Sequence, residues 1–295
     1  MAELSRRAFT VGAGAALGMG LFGGLANSAS MVEAVEVYFA QDVAVRRYRP
    51  LVPNGRPAIV MVHGGAHAGW AWDRYGQYFA GLGWDCHALD WYNHGLSPSL
   101  PTQQFIARSI TDVFREIWLV ASRLQSQGRP YLLMGHSMGG LAALWSAQVL
   151  HPQALVLITP VVPAQVGAAP IPIPVDFTVP FPVPPFEVAK GMFFSTMSDA
   201  EASVYYHLLQ PESPRAVYEA TRWTVSVNLG AVTAPAMTVA AAADTLTPPA
   251  AVHRLAELLH CRHVDFPAIG HSDVLLKAQG WLPVAQDIEH WLRTV

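Results

Sequence analysis

The chain has 295 residues, 52% of them hydrophobic and only 13% charged, with 23 Gly and 23 Pro; its mean hydropathy is +0.27. That length suits one large α/β domain or two small ones, and so apolar a composition excludes disorder over most of the chain. A formal net charge of −3 gives no reason to expect nucleic acid or an anionic membrane surface as a partner, and two cysteines cannot build a disulfide framework or a four-thiolate zinc site.

Ser5-Arg6-Arg7-Ala8-Phe9-Thr10 puts two arginines ahead of a Gly- and Ala-rich stretch that carries no charge until Glu33. Ala26-Asn27-Ser28 follows, with small residues where a signal peptidase reads. The Ser-Arg-Arg-x-Phe core resembles a twin-arginine signal, the type read by the export route for folded proteins. Residues 1–28 are therefore expected to be a signal peptide cleaved after Ser28, giving a periplasmic or secreted product. Two alternatives stay open. One is an uncleaved membrane anchor, weakened by six glycines between Ala8 and Ala26 that each cost about 1 kcal/mol of helix stability. The other is translation from Met31 and a cytoplasmic product. No cysteine follows the apolar stretch, so a lipid anchor is not supported, and no stable membrane anchor is expected.

Val35-Glu36-Val37-Tyr38-Phe39 and Val43-Ala44-Val45-Arg46-Arg47-Tyr48 read as a hairpin turning at Gln41-Asp42. Short apolar runs of the kind buried on both faces of a sheet come next, at residues 58–62, 86–89, 131–134, 154–158, 237–241 and 263–266. Between them lie helical patterns. Phe105, Ile106, Ile110, Val113, Ile117, Val120 and Leu124 form one apolar stripe, and residues 249–260 and 282–293 look the same. Strands alternating with helices imply a mostly parallel sheet covered on both faces. Residues 161–232 break the alternation. Residues 160–185 hold nine prolines, and between Val161 and Phe186 the only charge is Asp176. Proline serves neither a central strand nor a helix interior, so this is an insertion, continuing as two helices at 199–210 and 214–228.

Gly135-His136-Ser137-Met138-Gly139 joins a strand to a helix, the setting of a nucleophile elbow. There the glycines relieve collisions in a tight turn, and the helix amino terminus offers N–H groups to a developing oxyanion. His63-Gly64-Gly65-Ala66 follows the strand at 58–62. No Gly-Lys-Ser/Thr follows it and no Gly-x-Gly-x-x-Gly is present, which disfavours a phosphate loop.

On these motifs, residues 32–295 resemble a single α/β-hydrolase domain, and Asp90-Trp91-Tyr92-Asn93-His94-Gly95-Leu96-Ser97 resembles the family's Asp-x-x-Gly-His-Gly-x-Ser turn. Asn93 stands for the usual glycine and tolerates positive φ. The resemblance implies an α/β-hydrolase fold: an eight-stranded, mostly parallel sheet whose core is residues 29–160 and 233–295, with a Pro-rich cap or lid, 161–232, after the sixth strand. It also implies a Ser, acid, His order. Ser137 is the nucleophile. His271, in Ile269-Gly270-His271-Ser272, is the only late histidine in a loop past the last strand; His253, His260, His263 and His290 fall in helix or strand patterns. Asp244 follows the strand at 237–241 and is the acid. Asp265 sits inside a strand, and Asp273 reads as a cap of the next helix. On the same resemblance, the backbone N–H groups of Gly65 and Met138 would form the oxyanion hole.

The expected activity is hydrolysis of a small apolar carboxylic ester through an acyl-enzyme, with no cofactor and no metal. His63, His67, His87 and His94 are dispersed over loops without paired ligand spacing and read as structural. Cys86 and Cys261 read as two buried thiols. A serine rather than an aspartate at the elbow argues against the dehalogenase and epoxide-hydrolase branches. Perhydrolases, lactonases and carbon–carbon-bond hydrolases share all these motifs, and a non-catalytic binding member of the fold is the alternative of another class. The sequence does not set the oligomeric state.

Overall fold

The computed structural model describes residues 32–295. The expected signal peptide and its cleavage point lie outside the described residues.

The hairpin forms as β1 (Val32–Ala40) and β2 (Val43–Pro50), turning at Gln41, whose φ is 57°. Then come β3 (Ala58–Val62), α1 (Asp73–Gly81), β4 (Cys86–Leu89), α2 (Thr102–Ile106), α3 (Phe114–Ser126), β5 (Tyr131–His136) and α4 (Met138–Leu150). After β6 (Leu155–Ile158) the chain runs through α5 (Phe186–Phe193), α6 (Asp199–Tyr206) and α7 (Pro214–Arg222). It returns to the sheet as β7 (Ala236–Ala241), α8 (Pro249–Leu259), β8 (Arg262–Phe266), α9 (Asp273–Leu276) and α10 (Trp281–Leu292).

One eight-stranded sheet results, in the order β1-β2-β4-β3-β5-β6-β7-β8. Only β2 runs against its neighbours; every pairing from β4 onward is parallel. β3, β4, β5, β6 and β7 are buried along their whole length, because helices cover both faces. The apolar residues fall into two clusters, one on each face of the sheet. Ile110, Ile117 and Leu141 are fully buried in one; Trp72, Phe79 and Ile288 are fully buried in the other. This is the α/β-hydrolase fold that the motifs imply. Among the described residues, no helix is long and apolar enough to cross a membrane.

Helix boundaries differ from the sequence patterns for local reasons. The stripe from Phe105 to Leu124 is not one helix. Ser109 starts a new turn with a capping box, its hydroxyl accepting the Thr111 N–H while Asp112 accepts the Ser109 N–H. α7 stops at Arg222 because Trp223 adopts a left-handed conformation, φ 53°. α5 was not expected from the pattern. Its signal is Pro185 ahead of an apolar run with Glu187 in the first turn. Cys86 is buried, but Cys261, just before the edge strand β8, is only half-buried, which corrects the expectation for that thiol.

One polar cluster ties the first strands together. Asp85, just before β4, accepts two parallel hydrogen bonds from Arg47 of β2 (2.9 and 2.7 Å) and a third from Arg129 before β5 (2.6 Å). Arg47 also reaches Glu36 of β1 at 3.0 Å. Burial pushes the Asp85 carboxyl up, but these guanidinium bonds and the adjacent His87 outweigh it and hold it far below the ordinary carboxylate range. A carboxyl depressed in the folded state contributes stability above its unfolded value and loses it as pH falls toward the folded one. Asp85→Asn is therefore expected to lower the unfolding free energy by about 2 kcal/mol at pH 7, discounted for partial exposure. The gap between denaturant titrations of the two proteins should begin to narrow below about pH 4, near the unfolded carboxylate value, and shrink further as pH falls toward the folded one; a pH-independent gap would contradict the assignment.

Candidate active site

Ser137 is the single residue between the end of β5 and the start of α4. Its φ of 56° and ψ of −124° lie in a region L-residues avoid. The neighbouring glycines make that turn possible. A Cβ on Gly135 would sit 2.3 Å from the Gly139 carbonyl oxygen, and one on Gly139 would sit 2.1 Å from that of His63. The elbow thus folds tightly on itself at Gly135 and presses against the loop after β3 at Gly139, and a side chain at either glycine would break its contact.

The loops after β7 and β8 deliver the other two predicted residues. His271 Nε2 lies 2.8 Å from Ser137 Oγ, and its Nδ1 lies 2.8 Å from Asp244 Oδ2. Asp244 is held in turn by the N–H groups of Leu246 (2.8 Å) and Thr247 (2.9 Å) on Oδ1 and by the Thr247 hydroxyl on Oδ2 (2.6 Å). The backbone carbonyl of His271 is fixed as well. His136 Nε2–H donates to it at 3.0 Å and the Thr159 hydroxyl at 3.2 Å. Asp265 is exposed on β8, beside His263. Asp273 is not the helix cap the sequence suggests: it is the first residue of α9, and its Oδ2 accepts from Gly270 N–H (3.1 Å), Thr196 N–H (2.9 Å) and the Thr196 hydroxyl (2.6 Å). It binds the His271 loop to the insertion.

Gly65 and Met138 also meet. A Cβ on Gly65 would lie 2.6 Å from Met138 Sδ, and both residues line one cavity with Ser137. Met138 is the first residue of α4, where N–H groups have no acceptor within the helix. The peptides around Gly65 are locked by histidines. His63 Nδ1–H donates to the Gly64 carbonyl at 2.8 Å while its Nε2 accepts the Trp91 N–H at 3.1 Å; His67 Nδ1–H donates to the Gly65 carbonyl at 2.7 Å. Burial keeps both rings neutral, His67 with its pKa lowered to about 4 and His63 also well below the usual histidine value. His136 is neutral for the same reason.

The dispersed histidines are therefore not dispersed in space. The His63 and His94 rings lie 5.4 Å apart, and the His136 and His271 rings 4.9 Å. His87 stands elsewhere, against Tyr38 and Asp85. Among the described residues no group of three or more His, Cys, Asp or Glu is arranged to hold a metal ion.

The cavity over Ser137 encloses about 630 Å³, counting its open mouth. Its walls are mainly apolar and come largely from residues 161–232, with Ile171, Ile173, Phe181, Pro182 and Pro184 of the Pro-rich stretch among them. Glu212, a residue sequence reasoning missed, is the charged residue among the lining side chains. This buried carboxylate lines the same cavity, and no motif marks it.

A strained serine offers a test of the elbow. Ser137→Gly should be more stable than Ser137→Ala by about 1–3 kcal/mol, because glycine accepts this backbone region and alanine does not. Thermal melts of the two variants check it; equal melting temperatures would mean the turn is relaxed.

The chain matches the model of the "Alpha/beta hydrolase family" over residues 59–282 and belongs to that family. No curated protein is significantly similar to it in sequence. Among solved structures, it is similar to a monoacylglycerol lipase of Paleococcus ferrophilus at 20% identity and a TM-score of 0.62, covering 87% of this chain and 98% of that one. A thermophilic esterase of Thermogutta terrifontis is similar at 16% identity and a TM-score of 0.64, covering 85% and 93%. The thioesterase domain of the curacin biosynthetic pathway is similar at 17% identity and a TM-score of 0.60, covering 89% and 100%. At these identities the likeness is one of fold.

Proposed function

We propose that this member of the α/β-hydrolase family is a serine hydrolase that cleaves small carboxylic esters with apolar acyl groups. The observation that carries this reading is the pair of 2.8 Å contacts linking Asp244 and His271 to Ser137, which lines the cavity.

In the proposed reaction His271, neutral and held with Nδ1–H on Asp244, takes the Ser137 proton on Nε2 as Oγ attacks the ester carbonyl. The carbonyl oxygen becomes an oxyanion facing the N–H groups of Gly65 and Met138. His271 then gives its proton to the leaving alkoxide, leaving an acyl-serine. Water, deprotonated by the same ring, attacks that acyl group, and the carboxylic acid departs with Ser137 regenerated. Asp244 remains ionised throughout. Its bonds from two N–H groups and a hydroxyl hold it on the ring, where it stabilises the imidazolium.

The acyl group would lie against Ile171, Ile173 and Phe181, walls whose proline neighbours leave little conformational entropy to lose on binding. In this reading residues 161–232 act as the cap of the site. Export behind the Arg6-Arg7 leader would set the reaction outside the cytoplasm.

Ser137 should be labelled by a fluorophosphonate probe, with p-nitrophenyl butyrate turned over. Ser137→Ala should abolish both, and Asp244→Asn should lower kcat by about 10³–10⁴. Labelling is read by mass spectrometry of the Ser137 peptide. A folded wild-type protein that neither labels nor turns over esters would instead favour a binding member of the fold.

A further inference from the structure

Glu212 is a carboxylate in a mainly apolar wall, 4% exposed and contributed by the insertion rather than by the sheet. It stands directly on the loop that carries Gly65. The Ala66 N–H donates to Glu212 Oε2 at 3.1 Å, and the Gln210 N–H donates to the Ala66 carbonyl at 2.9 Å. Both backbone groups of Ala66 are thus taken by two residues of one short segment. Ala66 itself has a φ of 62°, a conformation that needs outside support in a non-glycine residue. The segment is anchored on its other side, where Glu212 and Phe181 exchange backbone hydrogen bonds of 2.8 and 2.9 Å.

His63 holds the Gly64 carbonyl and His67 the Gly65 carbonyl; the insertion adds the Gln210 backbone bond and the Glu212 carboxylate, and of these two Glu212 acts through its side chain. We propose that Glu212 is a positioning residue that completes the oxyanion site from the cap, and that His94 is the counter-charge that lets a carboxylate stand there. This rests on the acyl-transfer reading above, with Gly65 as an oxyanion donor.

The counter-charge follows from geometry. His94 Nδ1 lies 3.2 Å from the Tyr92 carbonyl oxygen, and its Nε2 lies 3.3 Å from Glu212 Oε2. Both ring nitrogens therefore face acceptors, and only the doubly protonated ring suits both. The Nε2 contact is an ion-pair contact rather than a well-aligned hydrogen bond. Without that proton, Glu212 would carry an uncompensated charge beside the place where negative charge develops; its Oε2 is 3.2 Å from where a Cβ on Gly65 would be.

The other charged or titratable groups facing this pair are few. Asp90 and the neutral rings of His63 and His67 lie near it, and Arg108 approaches from the loop before α3. Burial disfavours the charge on His94, yet Glu212 outweighs it and raises its pKa above 6.5. Burial likewise opposes ionisation of Glu212, but His94 and the N–H groups of Ser213 and Ala66 hold its carboxyl below the ordinary value. Alkaline pH, by removing the His94 proton, should therefore slow the chemistry.

The test is a set of four variants of the full chain, assayed with p-nitrophenyl butyrate and a fluorophosphonate, each checked for folding by thermal melt. Glu212→Ala should lower kcat and the labelling rate about tenfold or more, a fraction of the loss of a whole oxyanion donor, with KM nearly unchanged. Glu212→Gln keeps an acceptor for the Ala66 N–H and removes the charge. It should stay within about threefold of wild type and lose the alkaline decline in kcat that wild type shows as His94 deprotonates. His94→Gln should be slower than wild type, and adding Glu212→Gln to it should restore much of the rate, because the double variant has no unpaired charge. An unchanged kcat in Glu212→Ala overturns the proposal, as does an alkaline limb that survives in Glu212→Gln or a double variant no faster than His94→Gln. Each of these leaves wild-type labelling intact, whereas a wild type that neither labels nor turns over removes the acyl-transfer reading and this proposal together.

Discussion

Ser137 holds its φ of 56° only because everything around it is packed so closely that no other backbone path is open. β5 enters the turn fully buried and paired on both sides, to β3 and to β6. α4 leaves it with Gly139 against the backbone of Val62 and His63 and with Gly140 against Pro160. The strain at one residue is thus borne by three parallel strands and the helix behind them. The rest of the site depends on that constraint. It fixes where the hydroxyl points, and the loops after β7 and β8 have only to bring a carboxylate and an imidazole to it.

Those loops are not left to side-chain packing alone. Asp244 is surrounded by donors from its own turn, and the His271 backbone is tied to His136 and Thr159 on one side and, through Ser272, to the Phe193 carbonyl of α5. The insertion contributes as much to this as the sheet does. Phe193 and Thr196 bond the His271 loop, Ser195 bonds the Ala243 carbonyl beside Asp244, and Gln210 and Glu212 bond Ala66. A segment that reads in sequence as a proline-rich interruption supplies apolar walls to the cavity and also much of the hydrogen bonding that positions the polar groups beneath it.

The histidines show why such a site is hard to see in one dimension. His63, His67, His94 and His136 are buried, and three of them are kept neutral by that burial. Their task is to satisfy carbonyls that a sharply bent loop cannot pair with its own backbone. A neutral imidazole offers one donor and one acceptor on a compact ring, which suits His63 between the Gly64 carbonyl and the Trp91 N–H. His94 differs only in what faces it. There a carboxylate from 118 positions later in the chain (212 − 94) arrives at its second nitrogen and raises its pKa against the burial that lowers the others.

Local signals were sufficient for the order of the strands and for the turn at Ser137, and they singled out, from five late histidines, the one whose ring the structure sets beside Ser137, His271. Each of these rests on a short-range rule: alternation of buried runs and amphipathic stripes, glycines around a strained turn, a loop directly after a strand. Those rules operate within a few residues and need no knowledge of what lies across the molecule. The break of the Phe105–Leu124 stripe at Ser109, the end of α7 at Trp223 and the half-exposure of Cys261 escaped because tertiary contacts and single backbone conformations outweighed periodicity there. Glu212 escaped altogether. A lone glutamate in an insertion has no spacing to mark it, and its charge is tolerable only where His94 and the Ala66 N–H converge on it. By itself, then, the sequence determined the fold and the residues that stand at strand ends. The tertiary structure alone decided which buried charges meet, because desolvation makes an unpaired charge costly and the partner that relieves it can come from anywhere in the chain.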